Sequence, residues 1–237
     1  MLPSKADIKL IRSLSEKKFR ENNSLFVVEG EKFVQEAIDS KYVVEKVFYM
    51  KDIGEELMSK MTLLSSPSTA LAIVRIPKKE VSVSIDGNNL YIALDAIRDP
   101  GNMGTIIRLA DWFGVAEIFA SEDCVDLYNP KVIQATMGSV FRVGFSCVDL
   151  KELLIRASES TSIFGAYMEG DSIYNSPLPT GALIIMGNES RGISSGLAPY
   201  ISNKIHIPSF AATGHGSESL NVAVATAIVC SEFRRRL

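Results

Sequence analysis

Short apolar runs alternate with amphipathic stretches along this chain, and turns rich in Gly, Pro, Asn and Asp separate them. In the first 80 residues, apolar positions at helical spacing over 7–20 are followed by strand-like and helix-like segments in turn. The predicted strands cover 25–28, 43–49 and 70–75, and the predicted helices cover 31–39 and 55–60. This alternation with short connections predicts a small α/β domain.

A second unit begins after residues 81–89, where charged and turn-forming residues predict a linker. The predicted strands beyond it cover 90–94, 116–120, 141–145, 162–166, 183–186 and 204–207, and the predicted helices cover 105–113, 129–137, 151–158 and 220–236. Apolar strands that alternate with helices predict an α/β domain with a mainly parallel sheet. The predicted division is therefore a domain at 1–80, a linker at 81–89 and a larger domain at 90–237.

The composition is that of a globular protein, since 46% of the 237 residues are hydrophobic and 22% are charged. The sequence contains no run of about 18 apolar residues, and its first 20 residues lack the apolar core of a signal peptide. We therefore expect a cytoplasmic protein without a membrane-spanning segment. Three widely spaced cysteines and two histidines favour neither a disulfide framework nor a metal site.

The net charge of −3 argues against a nucleic-acid partner, but the charge is unevenly distributed. The basic side chains of the first 20 residues are densest at Lys17, Lys18 and Arg20. A local basic patch can bind phosphates whatever the charge of the whole chain. A solvated helix face is the alternative interpretation of the same residues.

Gly, Pro and hydrogen-bonding side chains follow three of the predicted strands, in the segments 95–105, 187–193 and 207–222. The carboxyl ends of parallel strands lie at one edge of a sheet, so such loops are typical of a ligand site. None of them has the GxxxxGK[ST] or GxGxxG pattern of nucleotide-binding loops, and the chain has no GxSxG. Kinase, dehydrogenase and serine-hydrolase interpretations therefore lack their motifs.

Three segments together resemble the ordered motifs of the SpoU (TrmH-type) RNA methyltransferases, which belong to the SPOUT superfamily. They are Pro-Gly-Asn-Met-Gly-Thr-Ile-Ile-Arg at 100–108, Met-Gly-Asn-Glu-Ser-Arg-Gly at 186–192, and Ile207-Pro208 with Ser-Leu-Asn-Val-Ala-Val-Ala at 219–225. This resemblance covers 90–237. Residues 17–30 are similar to the accessory RNA-substrate-binding domain that precedes many of these catalytic domains.

The resemblance implies a ribose 2′-O-methyltransferase that uses S-adenosylmethionine and forms a homodimer. It also implies a C-terminal α/β trefoil knot, in which the chain threads through a loop, and pattern alone does not predict such a topology. Ribosomal RNA is the favoured substrate because a separate N-terminal domain is present. Transfer RNA is the alternative substrate, and a non-catalytic role in RNA binding or ribosome assembly is the alternative function.

By motif position, the resemblance assigns residues to two sets. The cofactor-binding set is Gly187, Asn188, Gly192, Ile207, Pro208, Leu220 and, on weaker grounds, Tyr167. The catalytic set is Asn102, Arg108, Glu189, Ser219 and Asn221. Arg108 is either the base that removes the hydroxyl proton or a cation that holds the target phosphate. Ser219 is also a candidate cap for the last helix.

The chain departs from the family pattern between Pro208 and Ser219, where the connection is longer than usual. We expect 209–216 to act as a mobile lid. Because of this longer connection, the resemblance does not assign the groups that contact the adenine of the cofactor.

Overall fold

The computed structural model describes residues 2–78, 85–211 and 219–235. The chain divides into two compact units, one of Met1–Glu80 with Asp126–Arg142 and one of Val81–Val125 with Val143–Leu237. The predicted domain division stays a prediction, because part of the linker, 79–84, lies outside the described residues. By sequence position, segment 126–142 falls within the predicted larger domain, whereas in the structure it packs with the first unit.

The regular elements follow the predicted order along the chain. The strands are β1 (Leu25–Glu29), β2 (Val44–Tyr49), β3 (Ala70–Arg75), β4 (Leu90–Leu94), β5 (Glu117–Ala120), β6 (Gly144–Cys147), β7 (Ile163–Ser172), β8 (Ala182–Met186) and β9 (Asn203–His206). The helices are α1 (Lys5–Ser13), α2 (Lys17–Asn23), α3 (Glu31–Asp39), α4 (Met50–Ile53), α5 (Glu55–Met61), α6 (Pro100–Trp112), α7 (Pro130–Thr136), α8 (Leu150–Ala157) and α9 (Val222–Arg235). Short 3-10 turns at Ser139–Phe141 and Ala198–Tyr200 complete the list.

The first unit contains a three-stranded antiparallel sheet in the order β1-β3-β2. The central strand β3 is apolar and buried from Ala70 to Val74, and the edge strand β2 is more polar. Helices α1 and α5 share an apolar core with this sheet, in which Ile11, Leu14 and Met58 are fully buried. The predicted alternation of strands and helices is correct here, but it does not reveal that the pairing is antiparallel.

A turn divides the apolar stretch at 7–20 into two helices, so the helical spacing there does not mark a continuous helix. The guanidinium of Arg20 stabilises this turn, because its Nη1 donates to the carbonyl oxygens of Leu14 and Ser15, both at 2.8 Å. Its Nε and Nη2 donate to Oδ2 of Asp126 at 2.9 and 2.6 Å. Arg20 is only 2% exposed. The expectation that Arg20 contacts RNA is therefore wrong, because its donors are used inside the protein.

Arg20→Ala is expected to lower the free energy of unfolding by about 3–5 kcal/mol, because it leaves Asp126 and two carbonyl groups without their partner. The exposed Lys17 of the same helix forms only a 3.7 Å ion pair with Glu21. Lys17→Ala is the matched control and should change stability by less than about 0.5 kcal/mol. Urea unfolding followed by circular dichroism measures both, and equal midpoints for the two variants would contradict the structural role of Arg20.

The second unit contains a six-stranded sheet in the order β6-β5-β4-β8-β7-β9, and every pairing in it is parallel. The predicted parallel α/β fold is confirmed. All five residues of β4 and all five of β8 are buried, which is why these strands are continuously apolar. Helix α8 covers one face, where Leu150, Leu153 and Leu154 join the core, and α6 packs against α9.

The predicted strand at 141–145 is wrong at its start, because Ser139–Phe141 forms a 3-10 turn and β6 begins at Gly144. The apolar residues before β6 are buried elsewhere. Phe141 packs edge-to-face on Tyr42 of the first unit, with ring centroids 5.2 Å apart, and Val140 is 3% exposed. Their apolar character therefore reflects packing in the first unit and not a strand.

Among the described residues, none of the helices has the length and apolar character needed to span a bilayer. The same part of the chain holds no group of three or more His, Cys, Asp and Glu arranged to bind a metal ion.

Candidate active site at the carboxyl edge of the parallel sheet

Helix α6 carries Asn102 and Arg108, and it begins at Pro100, five residues before the predicted start. Pro100 occupies the first turn, where its missing N–H costs nothing. The carboxylate of Asp99 caps the helix by accepting a hydrogen bond from the backbone N of Asn102 at 2.7 Å. Asn102 consequently lies in a helical turn at the carboxyl end of β4. The Asp-Pro pair is a helix-start signal that identifies Asp99 as a positioning residue, although the sequence interpretation missed it.

A chain of side-chain hydrogen bonds joins the three sequence motifs. Nδ2 of Asn102 donates to Oε1 of Glu189 at 2.5 Å, and Oδ1 of Asn102 accepts from Nδ2 of Asn221 at 2.8 Å. A carboxylate can only accept a hydrogen bond, so the Nδ2 of Asn102 has to face Glu189. Asn221 donates its N–H, so the Oδ1 of Asn102 has to face Asn221, and both contacts require the same orientation of the Asn102 amide. The structure therefore brings three of the predicted catalytic residues together around one amide.

Asn221 also begins helix α9. Its Oδ1 accepts from the backbone N of Ala223 at 2.9 Å and of Val224 at 3.2 Å. The cap of the last helix is therefore Asn221, and the alternative that Ser219 caps it is wrong. Ser219 is exposed two residues earlier in the chain. One amide thus ties the start of α9 to the start of α6.

The loop after β8 is a closed turn whose shape depends on two glycines. The backbone N of Asn188 donates to Gly192 O at 3.0 Å, and the N of Gly192 donates to Asn188 O at 2.8 Å. A Cβ on Gly187 would lie 2.3 Å from the carbonyl carbon of Gly192, and Gly192 has a φ of +67°. The first position has no room for a side chain, and the second has a left-handed backbone that favours glycine.

Side-chain contacts connect this loop to the one that follows the neighbouring strand β4. Nδ2 of Asn188 donates to Ala96 O at 2.9 Å. Oδ2 of Asp95, a residue only 5% exposed, accepts from the backbone N of Ser194 at 2.6 Å. Asn188 thus shapes the loops with its own amide, and Asp95 is a second positioning residue that the sequence interpretation did not single out.

Strand pairing places Gly165, two residues before Tyr167, between β8 and β9. Gly165 of β7 pairs with Ile185 of β8 and with Lys204 of β9. Beyond Ala166 the register with β9 shifts, so that His206, which precedes Ile207, pairs with Ser172 further along β7. Gly165 leaves space for the aromatic ring, because a Cβ there would lie 2.7 Å from Cε2 of Tyr167.

The edge formed by β7, β8 and β9 combines apolar and unsatisfied polar groups. Ile207 and Pro208 are partly buried, and Leu220 is 48% exposed. Within the described residues, the hydroxyl of Tyr167 and Nδ1 of His206 are buried without a hydrogen-bond partner. Burial raises the pKa of Tyr167 above its usual value. Such an edge suits a ligand that has both apolar surface and hydrogen-bonding groups.

Arg108 lies apart from the hydrogen-bonded chain, on the exposed face of α6. Gly101, Thr105, Arg108 and Trp112 are all exposed, and their spacing of three and four residues places them on one face. In the described part of the protein no carboxylate pairs with Arg108. Its guanidinium is therefore accessible to a ligand.

The predicted RNA-binding residues are only partly exposed, and the predicted lid lies only partly within the described residues. Lys17 and Lys18 are exposed on α2, whereas Arg20 is buried. Most of the predicted lid at 209–216 falls within 212–218, which lies outside the described residues.

Comparison with known proteins agrees with this arrangement. Residues 89–231 match the SpoU rRNA Methylase family, and residues 5–81 match the MRM3-like substrate binding domain. The chain is 25% identical to the 23S rRNA (guanosine(2553)-2′-O)-methyltransferase RlmP of Bacillus subtilis, with 94% of each chain covered. Among solved structures, an AdoMet-bound rRNA methyltransferase from Sinorhizobium meliloti superposes with a TM-score of 0.88 at 28% identity, over 100% of this chain and 98% of the other.

A further structure, from Porphyromonas gingivalis and assigned to the TrmH family of RNA methyltransferases, has a TM-score of 0.85 at 32% identity over the full length of both chains. The parallel sheet defines an α/β protein, and these matches place it in the methyltransferase class. The chain belongs to the SpoU rRNA methylase family.

Proposed function

We propose that this protein transfers a methyl group from S-adenosylmethionine to a ribose 2′-hydroxyl of ribosomal RNA. The observation that carries the proposal is the hydrogen-bonded chain Asn221–Asn102–Glu189, which unites three motifs at one edge of the sheet. The S. meliloti structure is described as AdoMet-bound, and the B. subtilis relative as a 23S rRNA 2′-O-methyltransferase. Both descriptions favour ribosomal over transfer RNA.

The cofactor site would lie at the edge formed by β7, β8 and β9. Its residues are Gly187, Asn188, Gly192, Ile207, Pro208, Leu220 and Tyr167. They fit the group, because the buried hydroxyl of Tyr167 lacks a partner among the residues that the structure describes and Gly187 keeps the loop compact beside apolar side chains. When bound, S-adenosylmethionine supplies a methyl group on a sulfonium that an incoming oxygen can attack in line.

The chain's own residues orient the acceptor. The hydrogen bond between Glu189 and Asn102 fixes both side chains. The second carboxylate oxygen of Glu189 and the second N–H of Asn102 can then form hydrogen bonds with a ribose. Arg108 is exposed two turns along α6, where its guanidinium can bind the target phosphate. Arginine keeps its proton in proteins, so we favour this role as a cation over the role as a general base. Ser219 is proposed to hydrogen-bond near the same centre.

We further propose that the protein is a homodimer formed through the exposed faces of α6 and α9. Trp112 is 83% exposed and Val224 is 49% exposed, on helices that pack together. Apolar surface on neighbouring helices is typical of an interface. A second copy of the chain would cover Trp112 one turn away from Arg108, so the active site would lie beside the interface.

Trp112→Lys is expected to convert the dimer into a monomer, because a charge replaces the largest exposed apolar side chain of this face. Sedimentation-velocity centrifugation at micromolar concentration measures the change. Ile155→Lys is the control, since Ile155 is 44% exposed on α8, away from the proposed interface. A Trp112→Lys variant that sediments as wild type would refute this interface.

Asn221→Asp separates the two contacts of Asn221. An aspartate keeps the oxygen that caps α9 but loses the N–H that donates to Asn102. We expect thermal stability close to wild type and a fall in kcat/KM of about ten- to a hundredfold, from one lost hydrogen bond beside a new carboxylate. Thermal unfolding and steady-state methyl transfer are the measurements. A variant with normal activity would show that the Asn221–Asn102 contact is not needed for catalysis.

The function itself is tested by incubating the protein with methyl-labelled S-adenosylmethionine and total RNA from cells that lack it. We expect label in ribosomal RNA at a single alkali-resistant ribose, as 2′-O-methylation blocks cleavage at that position. Label in transfer RNA alone would show that the substrate is transfer RNA and not ribosomal RNA. Cofactor binding without labelled RNA would refute methyl transfer and favour a non-catalytic RNA-binding role.

Two further expectations stay predictions. The family resemblance implies that the C-terminal chain threads through a loop, and the path across 212–218 lies outside the described residues. We place the reaction in the cytoplasm, as the sequence predicts.

A further inference from the structure

The first unit has a cavity of about 410 Å³ that the methyl-transfer site does not use. It is lined by Glu31, Tyr49, Met50, Lys51, Glu55 and Thr69. These residues come from the end of the edge strand β2, from helix α4, from the first turns of α3 and α5, and from the residue before β3. The cavity is a place where an aromatic ring, an apolar side chain and two carboxylates meet.

Tyr49 supplies a flat surface for a ligand. Its side chain is partly buried at the end of β2, and the backbone N of Met50 next to it donates to Thr69 O at 2.8 Å, which holds this wall in place. Nζ of Lys51 lies 5.3 Å from the centroid of the Tyr49 ring. This exposed cation is free to leave the ring for a phosphate group, because cation–π contacts at exposed sites are weak.

The carboxylates of Glu31 and Glu55 are uncommitted. In the described part of the chain, neither takes part in a hydrogen bond or an ion pair. Glu56, one residue further along α5, is different, because it pairs with Lys60 at 2.6 Å and does not line the cavity. The two cavity carboxylates are therefore available as hydrogen-bond acceptors for a ligand.

Only one RNA base matches these acceptors fully. Guanine presents two adjacent donors, N1–H and the N2 amino group, to which a carboxylate binds with both oxygens. Uracil and inosine offer a single ring N–H, while adenine and cytosine offer an amino group next to a ring acceptor. Unpaired bases are recognised by stacking on aromatic rings and by hydrogen bonds to this edge.

We propose that this cavity binds an unpaired guanine of the RNA substrate, stacked on Tyr49 and hydrogen-bonded to Glu31 or Glu55, with Lys51 at an adjacent phosphate. The inference rests on the proposed function for its choice of RNA as the source of the base. It gives the N-terminal unit a base-specific contact, which the exposed lysines of α2 do not provide.

The test is fluorescence anisotropy of the full chain with labelled heptauridines that carry guanosine, inosine or adenosine at the centre. We expect wild type to bind the guanosine oligomer about tenfold tighter than the other two, from one additional hydrogen bond to a charged group. Glu31→Gln with Glu55→Gln should abolish this preference, and Glu56→Gln should keep it. Equal affinity of wild type for all three oligomers overturns the proposal.

Tyr49 is tested in the same assay. Tyr49→Leu should weaken binding of the guanosine oligomer about tenfold through loss of stacking, whereas Tyr49→Phe should leave its affinity unchanged. Circular dichroism establishes that both variants are folded. Equal binding by the leucine and phenylalanine variants also overturns the proposal.

Guanosine monophosphate distinguishes the two sources of the base. We expect it to compete only far above the oligomer concentration, and competition at equal concentration would assign the cavity to a free nucleotide and overturn the RNA proposal. Since the assay measures binding, an enzyme without methyl transfer can still show the guanine preference. An active enzyme without the preference refutes this inference alone.

Discussion

Arg108→Ala is expected to lower kcat/KM for RNA methylation by about 100- to 1,000-fold, because the charged group proposed to bind the target phosphate and so to position the ribose hydroxyl is lost. Arg108 is exposed and pairs with no residue in the described ranges of the chain, so its removal should not destabilise the fold. Steady-state methyl transfer and thermal unfolding, measured on the same preparations, give both values. A normal kcat/KM in this variant would remove Arg108 from the mechanism.

Arg98 provides the matched control. It is an exposed arginine shortly before α6, and its Nη2 is 4.0 Å from Asp123. Arg98→Ala should leave kcat/KM within a factor of about two, because an exposed ion pair of this kind contributes little. An equal loss in both variants would indicate a general effect of positive charge on RNA binding.

Arg108→Lys distinguishes the two possible roles of the arginine. If Arg108 holds a phosphate, lysine should retain part of the activity, with no change between about pH 6 and 9, where a lysine side chain stays charged. If it is the base, the lysine variant should gain activity as the pH rises towards the pKa of lysine. Full activity at every pH would contradict both roles.

Gly187→Ala is expected to weaken S-adenosylmethionine binding about 100-fold, equivalent to about 2.7 kcal/mol. The added Cβ would lie 2.3 Å from the carbonyl carbon of Gly192 and 2.4 Å from the N of Ile193. Both are backbone atoms, so the loop itself has to move, and such overpacking typically costs about 1–3 kcal/mol. Isothermal titration calorimetry with the cofactor is the measurement.

Gly196→Ala is the control for this experiment. Gly196 lies in the same connection between β8 and β9, but a Cβ there would have no heavy atom within 4 Å. Its substitution should leave the dissociation constant within about twofold. Unchanged cofactor affinity in Gly187→Ala would refute the placement of the cofactor beside this loop.

The helix that carries Asn102 and Arg108 illustrates how much local sequence can predict. The motif at 100–108 identifies the right residues, but the predicted helix begins at Thr105 because the glycines at 101 and 104 suggest an open loop. The structure extends the helix to Pro100. Asp99 and Pro100 together favour a helix start strongly enough to overcome the low helix propensity of the two glycines.

Arg20 illustrates the opposite case. Its place in a basic cluster predicts a surface residue, and nothing nearby in the sequence indicates a buried partner. The partner, Asp126, is 106 residues further along the sequence. It belongs to a segment of the first unit that is inserted, in the sequence, between strands β5 and β6 of the second unit. No local pattern contains this information.

Hydrophobic periodicity predicts nearly all the strands and helices, because a strand buried on both faces and an amphipathic helix each impose a repeat on neighbouring residues. The ordered motifs likewise identify the candidate site residues. The antiparallel pairing of the first unit, the two-helix start and the hydrogen bonds of the site depend on tertiary contacts. Asn102 meets Glu189 across 87 residues and Asn221 across 119. Such pairs depend on which strands become neighbours in the sheet. Strand order is a long-range property of the fold, and short-range sequence patterns do not predict it.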